Sequence, residues 1–192
     1  MICNNETHVP KMEQLEFEIV LTLLKEKKSH VRGIAQNIGA SPSKVSRTLK
    51  EMVKKNIVDF ETEGKNKVFG LKKGIESASY AYMAEHYKLF KVFQKYPEMA
   101  VICEDILKKT DEKLVVLFGS YAKFMANKGS DIDVYIETEN RSVKNKVENI
   151  NSKLSVKIGK FDASSFLAKE IIKYHVILKG VEYFYEKNKL FD

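Results

Sequence analysis

The chain has 192 residues, 44% hydrophobic and 31% charged, with 33 Lys and Arg against 26 Asp and Glu and a formal net charge of +7. This balance excludes disordered, collagen-like and low-complexity classes, and the length suits one large domain or two small ones. Cys3 and Cys103 share no CxxC spacing, and no run approaches the roughly 18 consecutive apolar residues of a membrane span, so a cytoplasmic protein with reduced thiols and no membrane partner is expected.

The charge is uneven. Up to Ile75 there are 14 basic and 9 acidic residues, and the remainder is nearly balanced. Met12, Leu15, Ile19, Leu23 and Leu24 recur at helical spacing after Pro10, which predicts an amphipathic helix over 11–27. Val31, Ile34, Ala35 and Ile38 mark a second, short helix. Gly39 ends it, since a helix terminus favours a left-handed residue without Cβ. Ser41 then caps a third helix that Pro42 opens, with Val45, Leu49, Met52 and Val53 as its apolar face.

The opposite face of that third helix carries Ser43, Lys44, Arg47, Thr48, Lys54 and Lys55. At 100° per residue the apolar set fills an arc of about 100°, and the cations fall outside it. Val58, Phe60 and Thr62 alternate next, followed by the turn Glu63-Gly64-Lys65-Asn66 and by Val68-Phe69-Gly70-Leu71, a hairpin in the position of a wing. The stretch 11–73 resembles the winged helix-turn-helix regulators of bacteria and archaea. That resemblance implies double-stranded DNA as partner, with Ser43, Lys44, Arg47 and Thr48 at base edges. It puts Lys54 and Lys55 on phosphate, and Lys65 and Lys67 of the wing beside them. A solvated cationic face, or a winged helix used for protein contact, is the competing explanation.

A long breaker-free segment over 75–96 carries Tyr80, Met83, Tyr87, Phe90 and Phe93 at helical spacing. It is expected to be a linker helix with a packing stripe that serves burial or dimer contact. Pro97 ends it, and another helix begins at Glu98.

Leu114-Val115-Val116-Leu117-Phe118 reads as a buried strand. It runs into Gly119-Ser120, ten further residues, and then Asp131-Ile132-Asp133-Val134-Tyr135-Ile136. Alternation along a strand points Asp131 and Asp133 to one side while Ile132 and Val134 pack inward. Two neighbouring carboxylates repel unless a cation lies between them, and Mg²⁺ binds through one or two carboxylates plus substrate phosphates. Gly119 permits close backbone approach to a phosphate, Ser120 offers a hydroxyl and an N–H, and a helix over 121–127 is expected to aim its N-terminus at the anion.

This motif is similar to that of the minimal nucleotidyltransferases of the DNA polymerase beta superfamily. The resemblance implies attack of an acceptor hydroxyl on the α-phosphate of a nucleoside triphosphate, with pyrophosphate released. It implies Mg²⁺ or Mn²⁺ as cofactor, ATP as the expected substrate and AMP as the group transferred. Asp131 and Asp133 are then the catalytic acids, and Gly119, Ser120, Ser130 and Lys157 contact the nucleotide. Some proteins of this resemblance are antitoxins that modify a partner toxin, so the acceptor is a protein or a small molecule.

One departure stands out. The family takes a third carboxylate from a later strand, and here that strand, Leu154-Ser155-Val156-Lys157-Ile158-Gly159, has no acid. Either Asp162 at the strand's end completes the metal set with Asp131 and Asp133, or Lys157 holds the position. In the second case Lys157 binds phosphate as a point charge, with catalysis weakened or lost.

Beyond it, 164–173 is expected to be a helix and 181–186 a final strand or a chain-end extension. His8, His30, His86 and His175 are scattered without ligand spacing. The sequence thus predicts an α+β chain with a winged helix at 1–74, a helical linker at 75–97 and a minimal nucleotidyltransferase domain at 98–192. Its expected role is DNA binding joined to nucleotide transfer. The alternatives are a regulator that binds nucleotide without turnover and a protein-contact module. A homodimer is expected, because winged-helix regulators commonly read two half-sites.

Overall fold

The computed structural model describes residues 11–191, with side chains from Gln14 onward. Cys3, His8, Pro10 and the Met12 side chain lie outside the described residues. The fold is α+β, and its contacts divide into two units between Ala84 and Glu85.

The first unit runs α1 (Lys11–Glu26), β1 (Lys28–His30), α2 (Val31–Ile38), α3 (Pro42–Lys54), β2 (Val58–Glu63) and β3 (Asn66–Leu71). Gly39 adopts φ +64 after α2, and the Ala40 N–H returns to the Ala35 carbonyl, which closes the helix. Ser41 caps α3 by accepting the Lys44 N–H, with Pro42 in the first turn. The strands form an antiparallel sheet in the order β1-β3-β2. The β2–β3 hairpin turns at Gly64 (φ +61) and pairs Phe60 with Phe69. Ile19, Leu23, Ile34, Val45, Leu49 and Met52 are buried together beneath it. The sequence offered no cue for β1: Lys28-Ser29-His30 has no apolar alternation, and it forms by pairing with β3.

Helix α4 (Ile75–Lys95) leads into the second unit. There follow α5 (Glu98–Lys109), β4 (Val115–Phe118), α6 (Gly119–Ala122), β5 (Ile132–Glu137), α7 (Arg141–Glu148), β6 (Leu154–Gly159), α8 (Phe166–Lys173), β7 (Val176–Lys179) and α9 (Val181–Lys187). The sheet order is β6-β5-β4-β7. It is parallel only between β5 and β6, which the α7 crossover joins. Leu117, Val134 and Val156 on one face share a core with Val92, Met99, Ile106 and Val147. On the other face Tyr135 meets Phe161 edge-on at 5.8 Å, and Phe161 meets Phe184 of α9 at 5.6 Å.

Two expectations are corrected here. The helix expected over 121–127 is the four-residue α6, because Phe124 turns left-handed (φ +57) and the chain enters an Asn127-centred turn. The segment 181–186 is helical, since Val181, Phe184 and Tyr185 are buried at i, i+3 and i+4. The last strand is β7, beside β4. Among the described residues no helix is long and apolar enough to cross a membrane.

Candidate functional site

In the first unit, Ser43, Lys44, Arg47, Lys50 and Lys54 lie exposed on α3. A groove of about 910 Å³ is lined by Arg32 of α2, Ser43, Ser46 and Lys50 of α3, and Lys65 and Lys67 of the hairpin. Lys65 and Lys67 are exposed, and the Lys67 ammonium sits 3.7 Å from the Phe60 ring centroid. Lys54 pairs with Glu51 at 2.9 Å on the solvent side.

Two of the expected DNA contacts do not stand on this face. Thr48 is only 5% exposed. It falls in the stripe Val45, Thr48, Leu49, Met52, whose i, i+3, i+4, i+7 spacing is that of a buried helix face. Lys55 turns back to the buried Glu16, with Nζ 2.7 and 2.9 Å from the two carboxylate oxygens and 3.2 Å from the Tyr80 hydroxyl. The Glu16 carboxylate raises the Lys55 pKa above its usual value. Arg32, Ser46 and Lys50, which line the groove, were not among the expected contacts. Lys50 was findable, since Ser43, Arg47, Lys50 and Lys54 recur at i, i+4, i+7 and i+11.

In the second unit, the antiparallel β4–β5 pairing sets Phe118 opposite Asp133, so the turn that follows β4 arrives at the Asp133 side chain. Gly119 is buried with φ +67, and a Cβ built there would lie 2.2 Å from Asp133 Oδ2. Only glycine allows both the left-handed backbone and that approach. Ser120 is half-buried, and Asp131, one residue ahead of β5, is exposed. The Ser130 hydroxyl accepts the Asn127 N–H at 2.9 Å and so serves the turn that delivers Asp131.

The half-buried Asp133 has its pKa raised, first by burial and further by Asp131 and Glu170; the hydrogen-bonded Ser155 hydroxyl and Lys157 oppose the rise. The parallel register places Ser155 beside Asp133, with Lys157 beside Tyr135 and exposed. Asp162, expected as a metal ligand, is exposed and accepts both the Ser164 N–H (2.9 Å) and its hydroxyl (2.8 Å); these bonds lower its pKa. Among the described residues no group of three or more His, Cys, Asp or Glu is placed to hold a metal ion. Glu170 of α8 pairs with Lys123, the residue that closes α6, 3.1 Å from its Nζ. Sequence spacing gave no signal for Ser155, which meets Asp133 through sheet register, or for the Lys123–Glu170 pair.

The donors fit a divalent cation. Asp131 and Asp133 supply hard carboxylate oxygens, and Mg²⁺ ordinarily takes one or two of these and completes its shell with phosphate and water.

Two family models match the chain. Residues 12–86 match "Sugar-specific transcriptional regulator TrmB", and residues 102–189 match "Polymerase beta, Nucleotidyltransferase". No curated protein and no solved structure matches. The chain therefore joins a transcription-regulator-like, DNA-binding winged-helix domain to a nucleotidyltransferase fold.

Proposed function

We propose that the chain is a DNA-binding regulator that takes a nucleoside triphosphate, ATP being the expected one, and transfers its nucleotide to a protein or small-molecule acceptor. The approach of Gly119 to Asp133 carries this reading, because a glycine turn held against a carboxylate pair brings backbone and phosphate together. Gly119 and Ser120 receive the phosphates, and Lys157 adds a point charge from β6. Asp131 and Asp133 would hold Mg²⁺ or Mn²⁺, which neutralises phosphate charge when bound. In the reaction the acceptor oxygen bonds to the α-phosphorus, the bond to the β-phosphate oxygen breaks, and pyrophosphate leaves. On α3, Ser43, Lys44 and Arg47 face base edges, with Lys50, Lys65 and Lys67 on phosphate.

A second reading, nucleotide binding without turnover, is favoured by the presence of Ser155 and Lys157 on β6 where an acid would complete the site. Labelled ATP with Mg²⁺, offered to the full chain alone and with host lysate, separates the two. A labelled acceptor, absent with Asp131→Ala, supports transfer. ATP bound but never transferred supports the second reading, and no binding at all sinks both.

A further inference from the structure

The groove between α3 and the hairpin offers more than a duplex backbone can use. Among the described residues its lining holds five Lys and Arg and no Asp or Glu, yet Val31, Pro42 and Phe69 also belong to it, and Phe60 stands in it half-buried. Phe69 backs Phe60, with the ring centroids 5.6 Å apart and the planes tilted by 49°. The exposed Lys67 ammonium rests 3.7 Å from the Phe60 centroid, so this ring presents a face that a charged group reaches from solvent. His30, exposed ahead of α2, adds a second flat ring to the lining. The phosphates of a duplex engage the cations alone, because its bases are stacked within the helix and cannot lie on a protein ring.

We propose that this groove also holds an unpaired DNA strand, with bases stacked on Phe60 and His30 and phosphates on Arg32, Lys50 and Lys65. A cationic groove that carries aromatic side chains is the general form of a single-strand site: the cations follow the backbone, and every base has a π-face to stack. A stacked base outweighs an exposed cation–π contact, so it takes the Phe60 face from Lys67, whose flexible four-carbon stem lets the ammonium turn to a phosphate. This rests on the DNA-binding reading above and adds to it a second form of DNA that shares Lys50, Lys65 and Lys67 with the duplex. Duplex and unpaired strand therefore compete for one face.

The test uses fluorescence anisotropy on the full chain with three labelled probes: an oligothymidylate of about 12 nucleotides, an abasic oligomer of equal length and charge, and a DNA duplex. Wild type should bind the oligothymidylate about 10-fold more tightly than the abasic oligomer, the gain expected of one or two stacked bases. Phe60→Leu keeps the packing on Phe69 and should erase that preference, leaving the abasic oligomer and the duplex within about 2-fold of wild type. His30→Ala, whose lost ring makes no capping bond to α2, should lower the preference by about 3-fold and reads the ring requirement even if Phe60→Leu fails to fold. Lys50→Ala with Lys65→Ala should weaken strand and duplex alike, and unlabelled oligothymidylate should displace the labelled duplex. Equal binding of oligothymidylate and abasic oligomer, or a preference that survives Phe60→Leu, overturns the proposal. If that happens while the duplex still binds through Lys50 and Lys65, the strand site fails and the duplex reading stands. If the strand is held with its Phe60 dependence and no duplex binds, the duplex reading fails alone. If no probe binds, both fail.

Discussion

At Gly119 one methyl group decides whether the turn after β4 can approach Asp133. The residue needs a left-handed backbone, and any Cβ would collide with Asp133 Oδ2. Gly64 has nearly the same φ, +61, with nothing within 4 Å of a built Cβ. Gly64→Ala should therefore cost only the backbone penalty, about 1–2 kcal/mol, whereas Gly119→Ala should cost more and also abolish ATP binding. Urea unfolding of both variants checks this, and equal losses would mean that Asp133 yields. The glycine and both aspartates were legible from spacing alone, because strand alternation and a fixed turn tie them together. Ser155, Lys123 and Glu170 were not, since their places depend on the parallel register of β6 and the seating of α8.

At the level of elements, the ionic anchor of α4 stands out. Glu85 is 1% exposed, and its carboxylate oxygens lie 2.6 Å from Lys88 Nζ, 2.8 Å from the Tyr185 hydroxyl of α9, and 3.2 Å from His175 Nε2 ahead of β7. Burial pushes the Glu85 pKa up, but Lys88 and His175 outweigh it and hold the carboxyl well below the usual range. A depressed folded-state pKa gives stability that is present above the unfolded value of about 4.3 and drains as the pH falls below it. Glu85→Gln should lose about 3 kcal/mol at neutral pH and should lose less further stability than wild type on acidification from pH 5 to pH 2. Parallel pH slopes in the two proteins would show that another carboxylate carries the acid sensitivity. Lys88 stands three residues from Glu85 on the same helix, but nothing in the sequence announced His175 and Tyr185, which lie 90 and 100 residues away. The misread of α9 has a related cause. Tyr183, Phe184 and Tyr185 favour strands intrinsically, and the helical burial of Val181, Phe184 and Tyr185 emerges only when β7 takes the sheet position.

For the molecule as a whole, the net charge of +7 separates into two electrostatic tasks. The first unit presents exposed cations on α3 and the hairpin, and the second carries Asp131 and Asp133, whose charges act on one another. Composition showed the imbalance, but not which lysines are open to a ligand, because Lys55 counts toward the total yet belongs to Glu16. A pair of variants divides these roles. Lys50→Ala with Lys65→Ala should leave unfolding nearly unchanged, weaken DNA binding, and lower the magnitude of the log K against log salt slope by about 2, since each lost phosphate contact contributes about 0.9. Lys55→Met should behave in the opposite way. It strands the buried Glu16 carboxylate and should cost about 1–2 kcal/mol, less than a fully buried pair because the Lys55 side chain is 44% exposed. Its salt slope should match wild type. Thermal unfolding and binding to duplex DNA from 50 to 200 mM salt read out both. A slope that falls with Lys55→Met, or holds with the double variant, would move the DNA surface off the exposed side of α3.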